Sequence, residues 1–407
     1  MKPSRSGSNS RDLKVLNRLA VLNTIRKQGL IARYEVAKIT GLTPPTVTVI
    51  VNELIETGVV KEVGSGESSG GRKPVLLELN PRAGFIFAIR LQHGEIVAAL
   101  LNIAGDIIES RSFKLDTTLP EVVAMAVKES FDLFIERAKI PKEKILCCGV
   151  ASPGLVDFIQ GTVKRSSNLG WRNVPFGPML SEHLNGIPVY VENISNAAAL
   201  GEKVYGSGRG VANLIYLNLS VGIGAGFIIN DEIYNGVQGY AGEVGHMVLF
   251  PENGPKCSCG QYGCFESACG VRVALERIKA ETSDEVFERL GLSKARFSAN
   301  DLANPLLLEI PEVKKIIYDI GRLIGIAIAN LVSLFNIQKV ILGGELSRTG
   351  EVLLDTINKT VKERTLPEIG EPVHIICSTM REDPPLMGAY ALVLEKAFST
   401  DEWLEIR

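Results

Sequence analysis

The chain has 407 residues, of which 45% are hydrophobic, and a formal net charge of −2. This length is ample for a small head domain and a large body of two lobes. Residues 1–9 are polar and lack the apolar segment of a signal peptide, and the longest apolar helix-like run, residues 323–335, contains Asn330 and Ser333. We therefore expect a cytoplasmic protein without a membrane span.

The small net charge hides an asymmetry along the chain. Residues 1–82 hold 13 Lys and Arg against 7 Asp and Glu, whereas the remaining residues hold 31 against 39. A basic start on an acidic body is expected when one end of a chain meets nucleic acid. The seven cysteines are odd in number and mostly clustered, which favours a reducing compartment and a metal site over a disulfide framework.

Residues 33–54 have the spacing of a helix-turn-helix. Ala37 is small where the two helices would cross, and Gly41 lies at the tight turn between them. Val47 and Ile50 share the buried face of the second helix. The alternative interpretation is a small helical hairpin inside a larger α/β fold.

The second helix of this motif has a clear start. Thr43 can cap the amide groups of its first turn, and the two prolines that follow lie where a missing N–H costs little. Polar residues facing away from Val47 and Ile50 can meet base edges in a major groove. The expected DNA contacts are Thr43, Thr46, Thr48 and Asn52.

A wing follows the second helix. Residues 59–63 and 75–79 are short strand-like runs, joined by the Gly- and Ser-rich segment 64–71. The basic pair Arg72 and Lys73 ends this segment and suits contact with phosphates or the minor groove. These features together predict a winged helix-turn-helix DNA-binding domain.

From Gly84 onward, apolar strand-like runs alternate with longer helical segments. Two rounds of this pattern predict two similar α/β halves with a ligand cleft between them, at the ends of the strands. The first round has predicted strands at 85–89, 96–101, 107–112 and 145–150 and a helix at 121–138; the second has strands at 214–219, 226–229 and 339–342 and a helix at 313–335.

One cluster has the composition of a zinc site: His246, Cys257, Cys259 and Cys264. Three thiolates and an imidazole form a closed tetrahedral ligand set, so we expect a structural Zn²⁺ without an open position for an activated water. The alternative is a group of reduced cysteines without metal. The remaining cysteines are expected to be core or spare thiols, with Cys269 at a helix start: Cys147, Cys148, Cys269 and Cys377.

A series of short motifs occurs in order across about residues 84–395. They are Ser152-Pro153-Gly154, Asn168-Leu169-Gly170-Trp171, Val191-Glu192-Asn193, Asn196 to Glu202, Gly222-Ile223-Gly224-Ala225-Gly226, Glu243-Val244-Gly245-His246, the cysteine loop with Glu266, and Leu342-Gly343-Gly344. The set resembles the ROK family of sugar kinases and sugar-responsive repressors, and the winged head resembles that of its repressor branch.

The resemblance implies an actin-like, hexokinase-like (ribonuclease H-like) α/β body of two lobes behind the winged head. The expected boundaries are 1–12 for a flexible N-terminus, 13–80 for the winged helix-turn-helix, 84–192 plus 386–407 for the first lobe and 193–385 for the second lobe with its zinc loop.

The resemblance also places a sugar site in the cleft. Sugar hydroxyls both donate and accept hydrogen bonds, so such a site needs carboxylates, amides and an imidazole converging on one cleft. His246 would bind the sugar with one ring nitrogen and zinc with the other. The sugar-binding residues implied are Gly154, Asn168, Asn193, Glu243, His246 and Glu266.

Two positions depart from the pattern of the family's kinases. The kinases carry a general-base Asp after the Glu-Asn pair, where this chain has Ile194, which cannot accept a proton. Their first phosphate loop, Asp-x-Gly-Gly-Thr, is replaced by residues 90–94, which begin with Arg90. A glycine-rich turn at 222–226 remains, but such a turn can also serve only to let the backbone pass. We therefore expect no kinase activity.

The sequence thus predicts a sugar-responsive transcriptional regulator, a repressor that binds operator DNA as a homodimer or homotetramer and is released by sugar. In the family's kinases the missing Asp meets the terminal hydroxymethyl group of the sugar. The resemblance therefore implies that Ile194 would leave this group of a hexose without a partner, and we expect xylose or a similar pentose as the effector. Two alternatives remain open: a ROK sugar kinase with an appended DNA-binding domain, and a DNA-binding protein whose body only oligomerises.

Overall fold

A computed structural model describes residues 10–65 and 74–399. The wing residues Arg72 and Lys73 lie outside this described part, as do residues 1–9 of the stretch predicted to be flexible. The first helix, α1 (Ser10–Gln28), begins inside that predicted stretch.

The described part of the head consists of helices packed on a small antiparallel sheet of order β1-β3-β2. Thr43 Oγ1 accepts a hydrogen bond from the Thr46 amide at 3.4 Å, and Gly41 ends the preceding helix with φ 70°. The predicted helix-turn-helix and wing strands are therefore confirmed. The remaining elements are β1 (Ile31–Ala32), α2 (Arg33–Thr40), α3 (Pro44–Glu56), β2 (Val60–Ser65) and β3 (Val75–Leu79).

The first lobe is a mixed sheet of order β11-β7-β4-β5-β6 with a small antiparallel sheet, β8 to β10, beside it. Phe131 and Phe134 of α4 pack edge-on against Phe87 of β4, with ring centroids 5.3 and 6.0 Å apart. The elements are β4 (Phe85–Gln92), β5 (Glu95–Asn102), β6 (Ile107–Lys114), α4 (Pro120–Ala138), β7 (Ile145–Ser152), β8 (Leu155–Asp157), β9 (Thr162–Ser166), β10 (Trp171–Val174), α5 (Phe176–His183) and β11 (Val189–Asn193).

The second lobe is built on a mixed sheet of order β14-β13-β12-β15-β16. Numbered by their order within each large sheet, the strands of both lobes run 3-2-1-4-5, so the two predicted halves do share one topology. The elements from here on are α6 (Ile194–Tyr205), β12 (Leu214–Leu219), β13 (Ile223–Ile229), β14 (Glu232–Ile233), α7 (Phe265–Cys269), α8 (Val271–Glu281), α9 (Asp284–Arg289), α10 (Pro311–Phe335), β15 (Lys339–Gly343), α11 (Glu351–Arg364), α12 (Pro367–Gly370), β16 (His374–Cys377) and α13 (Pro384–Ala397).

Among the helices within residues 10–65 and 74–399, one is long and apolar enough to cross a membrane by length and composition, and this is α10. Most of its apolar window is buried in the protein. Ile316, Ile320 and Ile324 pack in the core of the second lobe together with residues of α11 and the sheet. Its composition is therefore that of a buried core helix.

Helices α6 and α13 lie between the two sheets and pack on each other. Helix α6 packs on β12 and β13, and α13 packs on β4 and β7. The contact between the two helices requires glycine, because a Cβ at Gly388 of α13 would lie 1.6 Å from the Ala197 carbonyl oxygen of α6. The contact of α13 with the first sheet requires it too, because a Cβ at Gly149 of β7 would lie 2.2 Å from the Ala389 carbonyl oxygen. The lobes therefore meet through a tight helix pair.

The head rests on the end of α13. Asn23 Nδ2 of α1 donates to the Phe398 carbonyl oxygen at 3.1 Å, and the Arg26 guanidinium lies 5.2 Å from the centre of the Phe398 ring. Val21, Leu22 and Ile25 of α1 belong to the same apolar core as Tyr390, Val393 and Leu394 of α13. A single hydrophobic core thus joins the head to the first lobe.

Candidate functional site

A cleft of about 880 Å³ separates the two lobes. Residues from both lobes line it, at the ends of their central strands, where ligands bind in folds of this kind. The cleft is lined by all six residues that the sequence predicted to bind sugar: Gly154, Asn168, Asn193, Glu243, His246 and Glu266.

Gly154 and Asn193 form one wall of the cleft. Gly154 has φ 102°, and a Cβ there would lie 2.3 Å from the Arg165 carbonyl oxygen, so only glycine fits. Asn193 Nδ2 donates to the Gly154 carbonyl oxygen at 2.9 Å, and Asn193 Oδ1 accepts from the amides of Ser195 and Asn196 at 2.8 and 3.3 Å. Asn193 thus caps α6, and one amide hydrogen is left for a ligand.

Asn168 and Glu266 converge on Gly222. A Cβ at Gly222 would lie 3.1 Å from Asn168 Nδ2 and 3.3 Å from Glu266 Oε2, so the two side chains approach the same point. Glu266 Oε2 accepts from the Ile223 amide at 3.0 Å. An amide donor and a carboxylate acceptor are therefore available side by side.

Glu243 and His246 complete the polar side of the cleft. His246 Nε2 lies 3.9 Å from Glu243 Oε2, and its other ring nitrogen, Nδ1, lies 3.7 Å from Cys257 Sγ. Burial raises the pKa of the Glu243 carboxyl; the His246 ring opposes this shift and the Glu266 charge adds to it. His246 therefore turns one nitrogen to the cleft and the other to the cysteine cluster.

The cysteine cluster has the dimensions of a zinc site. The ligand atoms of His246, Cys257, Cys259 and Cys264 all lie within 4.8 Å of one another. Tetrahedral zinc with Zn–S distances of about 2.3 Å places two sulfurs about 3.8 Å apart, and Cys259 Sγ and Cys264 Sγ are separated by 3.8 Å. The cluster can therefore hold a metal ion.

The thiols of Cys259 and Cys264 influence each other's pKa. Desolvation opposes ionisation of Cys259, but hydrogen bonds from the Gln261 amide and the neighbouring thiols lower its pKa. Desolvation, together with those same neighbours, raises the pKa of Cys264 to about 12. Three adjacent thiolates repel one another unless a cation neutralises them, and bound Zn²⁺ would supply that charge and fix the loop.

The other cysteines lie outside the cluster. Cys147 and Cys148 are buried in β7 and Cys377 is half-buried in β16, where Cys377 Sγ donates to the Ser347 carbonyl oxygen at 3.5 Å. Cys269 ends α7, whereas a helix start was predicted, because the backbone reaches extended φ and ψ at Gly270 before α8 begins. Its thiol donates to the Phe265 carbonyl oxygen at 3.3 Å.

Ile194 is the first residue of α6 and lines the cleft directly after Asn193. Its half-buried side chain packs with Ala151, Ala197 and Ala389 at the junction of β7, α6 and α13. At this position the cleft is therefore lined by an apolar side chain, which cannot accept a proton.

Arg90 is buried at the other side of the cleft. Its Nη2 donates to Glu95 Oε2 at 2.8 Å, its Nη1 donates to Gln92 Oε1, and its Nε lies 2.7 Å from Asp383 Oδ2. Burial raises the pKa of the Asp383 carboxyl, an effect that the Arg90 charge opposes. All three nitrogens of the guanidinium thus face protein groups, two of them negatively charged.

The predicted glycine-rich turn at 222–226 is wrong for most of its length. Residues from Ile223 onward form β13, and α6 crosses this strand closely. A Cβ at Gly226 would lie 2.2 Å from the Ser195 carbonyl oxygen, and one at Gly224 would lie 2.6 Å from Ser195 Oγ. These glycines are needed for helix packing and do not indicate a phosphate site.

The residues predicted to contact DNA lie on or just before α3, which we call the recognition helix, and they differ in solvent exposure. Thr43, Thr48 and Asn52 are exposed, and Thr46 is half-buried. Thr48 Oγ1 donates to the Pro44 carbonyl oxygen at 2.9 Å, and Asn52 Oδ1 accepts from Arg33 Nη2 at 2.9 Å. The Asn52 side-chain NH2 group can therefore still donate a hydrogen bond to DNA. The threonine hydroxyl oxygens can still accept one.

Several exposed or cleft-lining residues were missed by the sequence analysis. Val49 is 58% exposed on the recognition helix, where an apolar contact with a thymine methyl group is available. Tyr216 lines the cleft, and a Cβ at Gly343 would lie 1.8 Å from its hydroxyl oxygen. The alternation along β12 could have marked Tyr216, but no local pattern marks the others in the cleft: Ser298, Asn300, Glu345 and Arg348.

The fold and cleft define the class of protein. Residues 86–396 match the model of the ROK family, and residues 15–61 match a winged helix-turn-helix DNA-binding domain. The chain therefore belongs to the ROK family, as the sequence motifs predicted, and it combines the ROK body with a DNA-binding head. This is the architecture of a transcriptional regulator.

Individual relatives share this architecture over their whole length. The chain is 34% identical over 399 residues to a putative xylose repressor of Caldicellulosiruptor sp., covering 96% of this chain and 98% of that one. It is 32% identical over 383 residues to the xylose repressor of Bacillus spizizenii, with 94% and 96% covered. A crystal structure of a ROK family transcriptional regulator, a homolog of the E. coli MLC protein, superposes with a TM-score of 0.79 at 26% identity, covering 95% and 97% of the two chains.

Proposed function

We propose that this protein is a cytoplasmic, sugar-responsive transcriptional repressor whose effector is xylose or a similar pentose. The observation that carries the proposal is the combination of a DNA-binding head with a cleft in which amide, carboxylate and imidazole groups converge. The names of the relatives agree with repression and with xylose. Sugar binding would favour a conformation with low operator affinity, because a ligand shifts an equilibrium only by its differential affinity.

The pentose preference follows from Ile194. In this proposal the Ile194 side chain lies against the part of the cleft where a hexose would extend its hydroxymethyl group. A hydroxyl left without a partner there costs about 1–3 kcal/mol, whereas a pentose has no such group. The polar residues opposite, Asn168, Glu243 and Glu266, would bind the ring hydroxyls.

Kinase activity is disfavoured by the same cleft. Ile194 cannot accept a proton from an attacking hydroxyl, and Arg90 fills the start of the former phosphate loop while bound to Glu95 and Asp383. Neither a base nor a free phosphate loop is then available. Sugar-dependent consumption of ATP at an ordinary turnover rate would support the kinase alternative.

The cysteine cluster would hold a structural Zn²⁺ through His246, Cys257, Cys259 and Cys264. Because His246 also faces the cleft, an ordered zinc loop would fix the ring that contacts the sugar. With four protein ligands, the ion would support the fold of the loop and take no part in chemistry.

On DNA, the protein would act as a homodimer or homotetramer. Thr43, Thr46, Thr48 and Asn52 would approach base edges in the major groove, and Arg72 and Lys73 would contact phosphates or the minor groove. Paired heads require a roughly palindromic operator with half-sites one helical turn or a multiple apart. A footprint confined to a single half-site would contradict this arrangement.

The test is fluorescence anisotropy on labelled duplexes covering the DNA upstream of the protein's own gene, at stated salt concentrations because phosphate contacts make affinity salt-dependent. Xylose should release the protein, and glucose should do so only at much higher concentration. Binding that no pentose, hexose or disaccharide alters would favour the alternative in which the body only oligomerises.

A further inference from the structure

Residues 90–94, which we call the latch turn, comprise the end of β4 and the two-residue turn that leads to β5, and they contact two distant parts of the protein. By the resemblance to the kinases they take the place of the phosphate loop, but their side chains are engaged within the protein. Each contact joins the turn to an element with a role in the proposed function, which this inference takes as its basis.

The first contact joins the latch turn to the loop that carries Asn168. His93 Nδ1 lies 2.8 Å from the Asn168 carbonyl oxygen. A carbonyl can only accept, so His93 donates from a protonated Nδ1. A second route is parallel to this one: Thr117 Oγ1 accepts from the Gly94 amide at 2.9 Å, and the Thr117 carbonyl oxygen accepts from Trp171 Nε1 at 3.0 Å.

The second contact joins the latch turn to the start of α13. Arg90 bridges Glu95, on β5 of the same lobe, and Asp383, which precedes α13. Asp383 is also the cap of that helix, since its Oδ1 accepts from the Leu386 amide at 3.1 Å. Movement of the latch turn would therefore be transmitted to the helix cap through a buried ion pair.

The link to the head lies at the other end of α13, where the helix meets α1. Asn23 Nδ2 donates to the Phe398 carbonyl oxygen at 3.1 Å and Arg26 stacks on the Phe398 ring. Helix α13 runs without a break from Pro384 to Ala397, so a shift at its first turn is carried to α1 as a rigid unit.

We propose that the latch turn, through the positioning residues His93 and Arg90, transmits sugar binding at Asn168 to the DNA-binding head along α13. Sugar contact with Asn168 would move its loop, the loop would move the latch turn, and the latch turn would displace α13 against α1. The former phosphate loop would in this way serve as the link between effector and operator.

The experiment measures coupling separately from affinity. In the full-length protein, xylose affinity is determined by calorimetry, and operator affinity is determined by anisotropy with and without saturating xylose. The ratio of the two operator dissociation constants should be about 5–150 in the wild type. Hydrogen exchange of α1 with and without xylose provides a readout that needs no operator.

Two variants break the link at the cleft, and each has a built-in control. His93→Ala removes the donor to Asn168, whereas His93→Asn places an amide donor at nearly the same position and should restore coupling. Asp383→Asn removes the charge facing Arg90 but keeps the helix cap, because Asn is also a good cap residue. In Asp383→Asn, which breaks the step that both routes share, the ratio should fall to within about threefold of unity and the xylose effect on α1 exchange should disappear. In His93→Ala, which leaves the route through Thr117, the ratio and the effect on α1 exchange should both fall below their wild-type values.

A purely structural role would give a different result: xylose affinity would fall, but the ratio at saturation would stay at its wild-type value. That result overturns the latch proposal and leaves the proposed function intact. If Asp383→Asn does not fold, Asn23→Ala tests the contact between α1 and the end of α13. In this variant the ratio of operator dissociation constants should fall while xylose affinity stays unchanged. A wild-type protein that does not bind xylose, or that binds it without changing operator affinity or α1 exchange, overturns both.

Discussion

Replacing Ile194 by Asp should change which sugar the protein prefers. Ile194 is the first residue of α6 and faces the cleft, so an aspartate there would offer an acceptor to a hexose hydroxymethyl group. Supplying a partner for a hydroxyl that otherwise lacks one is worth about 1–3 kcal/mol. The ratio of glucose to xylose affinity should therefore rise by about 5–150-fold.

The substitution should leave the fold intact. Ile194 is half-buried against Ala151, Ala197 and Ala389, so the loss of packing is about half of the 1.5–3 kcal/mol of a fully buried side chain. A carboxylate in the first turn of a helix returns about 0.3–1 kcal/mol through the helix dipole. The net loss in the free energy of unfolding should therefore be at most about 1 kcal/mol.

Calorimetric titration of the wild type, Ile194→Asp and the control Ile194→Val with both sugars measures the ratio. The Val variant should keep the wild-type preference because it stays apolar. An unchanged ratio in a folded Ile194→Asp variant would refute the placement of Ile194 against the sugar. We also expect no sugar-dependent ATP consumption by Ile194→Asp, because Arg90 still occupies the phosphate loop.

Metal content, buried charge and helix contact provide three further tests. Cys257→Ser should lose bound zinc by elemental analysis and melt several degrees lower, whereas Cys269→Ser should keep one zinc per chain. Burial raises the pKa of Glu192 above its ordinary value of 4.5, against hydrogen bonds from Asn193 and Asn196 that lower it; stability associated with this group is present below pH 4.5 and is lost as pH rises through the folded pKa. Glu192→Gln should therefore weaken the decline of the melting temperature as pH rises above 4.5. A melting temperature that varies with pH as in the wild type would contradict this. Gly388→Ala should cost about 3 kcal/mol or more by urea unfolding, because its Cβ would lie 1.6 Å from the Ala197 carbonyl oxygen; a wild-type midpoint would disprove the close contact.

The head was predictable because its signals are local. Thr43 before two prolines, Gly41 at the turn, and Val47 and Ile50 on one face are separated by only a few residues, and each follows a rule of helix start, turn or burial. The cluster of His246 and three cysteines was predictable for a similar reason, since the three cysteines lie within one short glycine-rich loop.

The contacts that connect the parts could not be predicted in this way. The resemblance predicted a departure from the kinases at Arg90, but its partner Asp383 lies far along the chain. The strand position of Gly224 and Gly226 was also hidden, because a glycine-rich stretch predicts a turn unless the helix that crosses it is known. Asn193 was marked for sugar, and its capping of α6 emerged only from the geometry.

The crossing of α6 and α13 has a consequence for how the body can be divided. Helix α6 follows the last strand of the first sheet but packs on the second, and α13 follows the last strand of the second sheet but packs on the first. Each lobe thus places its final helix on the sheet of its neighbour. Neither lobe should fold as a separate fragment, and removing the chain from Asp383 onward would uncover β4 and β7, which lie far earlier in the chain.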